Sequence, residues 1–154
     1  EDSPSWVGIR QCAFEEEISC QVELSKSETV SKDSKAEAGL SLFMDENHHY
    51  DIFITKEGND FYANSRICVG QAESIKEKIK LESNKATFKI LSNAYCYQLF
   101  MQTEKDMILL SQADTRYLSS EVAGGFTGVY LGFYAVDSDS ASVATFTNLS
   151  VKNK

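Results

Sequence analysis

Glu104-Lys105-Asp106 is the closest this chain comes to the paired carboxylates that glycoside hydrolysis needs, a nucleophile and an acid about 5 Å apart for the retaining reaction. The positions that would complete an E-x-D-x-x-E run are apolar, and Leu109 stands where the second glutamate belongs. Glu15-Glu16-Glu17 is dense in charge. Neighbouring residues of a strand point to opposite faces, however, so the triplet reads as a solvated segment and not as an opposed pair. His48 and His49 suggest a metal, but their adjacency at the start of a strand splays the rings and no third ligand lies at i+2 or i+4, which favours a surface or hydrogen-bonding role. Asp137-Ser138-Asp139-Ser140 could hold a structural calcium ion through side-chain and carbonyl oxygens. It lacks the glycine and terminal glutamate of an EF-hand loop, so a plain acidic turn is preferred and no cofactor is expected. No serine, threonine or cysteine stands in a nucleophile elbow or beside an activating histidine. The chain alone is expected to be non-catalytic, with no catalytic and no metal-binding residues.

The most informative stretch is Thr115 to Val136, TRYLSSEVAGGFTGVYLGFYAV. Val129, Leu131, Phe133 and Ala135 alternate with Tyr130, Gly132, Tyr134 and Val136, the period of a pleated strand. Ahead of it, Ala123, Gly124 and Gly125 carry little or no side chain, and the large ring of Phe126 follows at once. Pattern alone favours Phe126 as a plug tucked over the core, with outward presentation as the alternative.

The remaining elements are also strands. Residues Val7 to Leu24 give one or two. Ala38 to Met44 and His49 to Lys56 flank a turn at Asp45-Glu46-Asn47, and Glu57-Gly58-Asn59-Asp60 leads into Phe61 to Val69. Ser74 to Leu81 reads as a strand with a helix possible. Thr87 to Leu91 follows, then a strand in which Tyr95, Tyr97, Leu99 and Met101 share a face, and Met107 to Leu110. The last strand, Val143 to Val151, sets Val143, Thr145, Thr147, Leu149 and Val151 against Phe146. Ten or more short strands without a convincing amphipathic helix predict an all-β fold, an antiparallel sandwich or barrel, and aromatic and β-branched residues on both faces of several strands favour the antiparallel two-sheet β-sandwich. With 154 residues, no repeat and no linker, residues 1–154 are expected to form a single domain.

A formal charge of −8, from 23 acidic and 15 basic residues, repels a phosphate backbone, which argues against nucleic acid as a partner. No apolar run approaches the ~18 residues of a spanning helix, so no membrane role is expected. Cys12, Cys20, Cys68 and Cys96 show no zinc spacing, and they read as free thiols of a reducing compartment, hence a cytoplasmic location.

Three strings carry a more specific message: Trp6-Val7-Gly8-Ile9-Arg10-Gln11 with Phe14 close behind, Glu37 to Tyr50 (EAGLSLFMDENHHY), and Arg116 to Gly128 (RYLSSEVAGGFTG). In this order, over nearly the full chain, they closely resemble the C-terminal concanavalin A-like β-sandwich domain of family 43 glycoside hydrolases, the β-xylosidases and α-L-arabinofuranosidases. The resemblance implies an accessory domain of a xylan-degrading enzyme. Its partner would be the five-bladed propeller catalytic domain of the same enzyme and, through that domain, a xylo-oligosaccharide. It further implies that Phe126, in AGGFTG, reaches the propeller's sugar pocket and forms part of its wall, with Gly124, Gly125 and Gly128 shaping the loop. This reverses the reading of Phe126 from pattern alone. One departure is Ile9, where the family commonly carries a basic residue, so an interface contact there is lost or altered. The alternative is an independent, lectin-like carbohydrate-binding module using exposed aromatics such as Tyr95 and Tyr97.

Overall fold

The computed structural model describes residues 4–26, 35–76, 78–119, 128–137 and 142–153. Among them, twelve strands form two antiparallel sheets with one 3₁₀ turn, Thr115–Leu118. The strands are β1 (Ser5–Arg10), β2 (Glu16–Lys26), β3 (Ala36–Asp45), β4 (His48–Glu57), β5 (Asp60–Val69), β6 (Ala72–Ile75), β7 (Ile79–Leu81), β8 (Lys85–Ser92), β9 (Cys96–Gln102), β10 (Met107–Asp114), β11 (Tyr130–Asp137) and β12 (Ser142–Asn153). One sheet runs β1-β11-β3-β4-β5-β6, with β7 also on β5, and the other runs β10-β9-β8-β2-β12. The expected sandwich is the fold found.

Alternation builds the core. Leu40 and Leu42 of β3, Tyr50, Ile52 and Ile54 of β4, and Leu131 of β11 turn inward from the larger sheet. Ile18, Val22 and Leu24 of β2, Phe88 and Ile90 of β8, and Leu99 of β9 meet them from the smaller one. Each of these is at most 1% exposed apart from Leu131 at 3%, and each such burial stabilises the fold by about 1.5–3 kcal/mol. Phe133 and Phe146 stack across the sheets with ring centroids 4.9 Å apart.

Three expectations need correction. Ser74 to Leu81 is two short strands on the free edge of β5. Ile75 stands opposite Arg66 and Ile79 opposite Ala63, so four steps along one side meet three along the other, a one-residue slip that splits the ladder. The last strand does not alternate evenly. Its register shifts between Thr147 and Ser150, and Asn148 adopts a φ of 56° there. Beyond that bulge the face assignment switches, and Val151 pairs with inward-facing Ile18. Lastly, the Glu15–Glu17 triplet is not uniformly solvated. Glu16 is buried, and its Oε1 accepts the backbone N–H groups of Cys12 and Ala13 at 3.3 and 3.1 Å, while Glu17 pairs with Lys89 at 2.8 Å.

Candidate functional site

Two regions carry candidate chemistry. The first is the sandwich end where β1 leads into β2, β8 turns into β9, and the 3₁₀ turn leaves β10. The chain from Ser119 to Gly128 departs and returns here, and both of its anchors are fixed by hydrogen bonds. Tyr50 Oη donates to the Asp114 carbonyl at 2.6 Å, Thr115 Oγ1 to the Ala94 carbonyl at 2.8 Å, and Leu118 is buried beneath. On the return, the Gln11 N–H donates to the Val129 carbonyl at 2.9 Å. Tyr97 Oη in turn donates to Gln11 Oε1 at 2.6 Å. Burial pushes the Tyr97 phenol up to about 12, the charge of Glu16 adds to the rise, and the Gln11 hydrogen bond opposes it.

Gly128 closes the loop with a φ of 67°, and the Arg10 guanidinium lies 3.1 Å from where a β-carbon would stand. A left-handed backbone costs a non-glycine residue about 1–2 kcal/mol. Gly128→Ala is expected to lower the unfolding free energy by about that amount in chemical denaturation, and an unchanged midpoint would remove Gly128 from the loop-shaping role. Phe126, Gly124 and Gly125 lie outside the described residues, as do Ser138, Asp139 and Ser140 of the suggested calcium turn.

Around these anchors, apolar side chains stand uncovered. Phe14 is 78% and Tyr95 82% exposed. Val7 and Ile9 pair with inward-facing Phe133 and Leu131, yet they are 72% and 55% exposed, because β12 lies over β11 and β1 projects past the smaller sheet. A depression of about 540 Å³ opens between Phe14, Ala94 and Arg116. Tyr95 and Tyr97 form no aromatic row: Tyr97 is buried in the core, and Tyr95 sits in the turn before β9.

The second region is the outer face of the larger sheet. Ser41, Asp51 and Arg66 stand directly opposite one another on β3, β4 and β5. Arg66 grips Glu37 with both terminal nitrogens at 3.0 and 2.9 Å and reaches Asp51 Oδ2 at 3.1 Å. Ser41 Oγ donates to Asp51 Oδ1 at 2.6 Å, His49 Nδ1 lies 2.8 Å from Asp51 Oδ2, and Tyr134 Oη donates to Glu37 at 3.1 Å. Burial alone would favour a neutral Arg66; hydrogen bonding and charge from Glu37, with Tyr134 and Asp51, outweigh it and hold the guanidinium charged. The guanidinium also lies over the Phe53 ring, 4.5 Å from its centroid.

His48 and His49 therefore serve two different carboxylates, His48 Nδ1 lying 2.8 Å from Asp45 Oδ1. Among the described residues no three His, Cys, Asp or Glu side chains converge as a metal set, and all four cysteines are free. Glu104 and Asp106 occupy an exposed turn held by Thr103 Oγ1, which accepts the Asp106 N–H at 2.9 Å. Among the described residues, no helix is long and apolar enough to cross a membrane. Sequence reasoning missed the Arg66 cluster. Its signal was present in the hairpin registers, which align outward-facing Ser41, Asp51 and Arg66 once the two turns are fixed.

The two antiparallel sheets, packed face to face over one core, define a β-sandwich. A profile of the β-xylosidase C-terminal concanavalin A-like domain matches residues 1–152, and the chain belongs to that family, the C-terminal domain of family 43 glycoside hydrolases. It is 31% identical over 148 residues to a non-reducing end α-L-arabinofuranosidase of Bacteroides ovatus, a match spanning 92% of this chain and 26% of that protein. A solved family 43 protein of the Bacteroides ovatus xyloglucan locus superposes with a TM-score of 0.82 at 26% identity, covering 97% of this chain and 29% of that one. A xylan β-1,4-xylosidase of Bacillus halodurans shares the fold with a TM-score of 0.82 at 20% identity, over 98% of this chain and 30% of that enzyme. The chain thus spans between a quarter and a third of the length of these relatives.

Proposed function

We propose that this chain is the non-catalytic C-terminal domain of a xylan-degrading, β-xylosidase-like glycoside hydrolase. It packs on the five-bladed catalytic propeller through the end that carries the Ser119–Gly128 segment, and Phe126 forms part of the propeller's sugar pocket. The observation that carries the reading is the uncovered apolar surface of Val7, Ile9, Phe14 and Tyr95 around the anchors of that segment. Val7, Ile9, Phe14 and Tyr95 are four of the eleven large apolar side chains exposed among the described residues, and on a chain that spans only 26–30% of its relatives they supply apolar surface for docking a further domain. Ile9 in place of the family's basic residue makes this contact more apolar.

At the pocket, an aromatic face stacks on a pyranose and shields the site from water. Phe126→Ala in the full-length enzyme is expected to lower kcat/KM on xylobiose roughly ten-fold, about 1.4 kcal/mol of transition-state stabilisation. Wild-type kinetics would sink the loop assignment. Hydrolysis of a nitrophenyl xyloside by the purified chain would overturn its non-catalytic role.

A further inference from the structure

The outer-face cluster lies beside a pocket of about 180 Å³, room for a single sugar-sized group. Its opposite wall is Trp6. The indole lies in the space that the side chains of two paired residues would take: a β-carbon on Gly8 would come within 2.2 Å of Trp6 Cη2, and one on Gly132 within 2.3 Å of Cε2. The glycine pair therefore makes a bed for the ring. Phe43, at 5.9 Å, and Tyr130, at 6.2 Å between centroids, brace its sides. Part of the indole remains exposed towards the pocket.

The polar wall is specific in what it accepts. Arg66 Nη2 spends one of its two hydrogens on Glu37 Oε2, and that oxygen keeps a second lone pair. His49 turns Nδ1 to Asp51, which leaves Nε2 as the other hydrogen-bonding atom of its ring. Two carboxylates against one guanidinium repel an anion, and Arg66, 2.9 to 3.1 Å from both Glu37 and Asp51, already occupies the place a cation would take between them. A neutral group whose adjacent hydroxyls both donate and accept matches the donor and acceptor pair that Arg66 and Glu37 present side by side, and its apolar ring face matches Trp6.

We propose that this pocket binds one neutral sugar ring, a pentose residue of a plant cell-wall glycan, stacked against Trp6 with its hydroxyls on Glu37, Arg66 and His49. The choice of pentose rests on the family reading; the polyol chemistry rests on the pocket. Trp6 is the sole tryptophan of the chain, so its indole N–H resonance and fluorescence report on this site alone. Titration of the chain with xylobiose, arabinose and methyl β-xyloside is expected to shift the indole resonance saturably, with a dissociation constant in about the millimolar range. His49→Ala, which keeps the reporter and the Arg66–Glu37 pair, is expected to weaken binding about ten-fold, and Trp6→Ala to abolish the calorimetric signal. An indole signal unmoved by all three sugars overturns the proposal, and so does sugar binding of wild-type strength in folded His49→Ala. These measurements use the chain without a propeller, so their failure leaves the Phe126 kinetics, and the docking role they test, untouched.

Discussion

Arg66→Ala lowers the unfolding free energy by about 3–5 kcal/mol, the cost of removing one partner from a buried ion cluster. Asp51 is only 4% exposed at its side chain and Glu37 21%, and Arg66 is the cation that holds both, through three bonds of 2.9 to 3.1 Å. Without it, two carboxylates share one desolvated patch with Tyr134, Ser41 and His49 as their remaining donors. The face of Phe53 covered by the guanidinium is opened at the same time. Arg66→Met separates the two losses, because it restores apolar cover while leaving the charges uncompensated. It should therefore recover little of the stability, whereas Arg66→Met combined with Asp51→Asn and Glu37→Gln should recover much of it. Urea denaturation followed by circular dichroism reads all three variants. A loss below about 1 kcal/mol for Arg66→Ala would mean that solvent replaces the guanidinium freely, as at a surface pair.

The Arg66 cluster also marks what could and could not be read from the sequence. Strand existence was most legible where inward residues recur with period two, as in β8 and β9, because a single buried face enforces that period. The Trp6, Glu37–Tyr50 and Arg116–Gly128 strings then carried the family, which the match over residues 1–152 bears out. Registers were not legible where a bulge intervenes. One extra residue near Asn148 and one between Ile75 and Ile79 reassign faces that alternation had fixed. Burial of charge was equally hidden. Glu16 looks solvated in a run of three glutamates, yet its carboxylate holds the N–H groups of the preceding turn. The site on the outer face needs residues from β1, β3, β4, β5 and β11 at once, and only the sheet order brings Trp6 near Arg66. Trp6 appeared in the sequence as part of a family string, and nothing local showed that two glycines 124 positions apart, Gly8 and Gly132, form its bed.

Alkali is expected to unfold this domain through its tyrosines. Tyr50, Tyr97 and Tyr134 are at most 6% exposed, and burial raises the ionisation of each above its ordinary value of 10.0, Tyr97 to about 12. Asp114 adds to the rise at Tyr50, and Asp51 with Glu37 at Tyr134. In each case the neutral phenol is the form the fold prefers. A raised folded pKa contributes stability that is fully present below the unfolded value, near pH 10, and is lost as pH rises through the folded value. For Tyr97 the interval is about two units, or about 3 kcal/mol at about 1.4 kcal/mol per unit. Tyr50 and Tyr134 act in the same direction, so the unfolding free energy should fall steeply between about pH 10 and about pH 12. Charge repulsion grows over the same range in a chain already at −8, so a control is needed. Tyr97→Phe supplies it: the variant loses the bond to Gln11 at every pH, but its stability should fall by about 3 kcal/mol less across the interval than that of the wild type. Parallel decline in the two proteins would assign alkaline unfolding to general repulsion, and a difference in tyrosinate absorbance between wild type and Tyr97→Phe that develops before the loss of circular dichroism would show that Tyr97 ionises within the folded state.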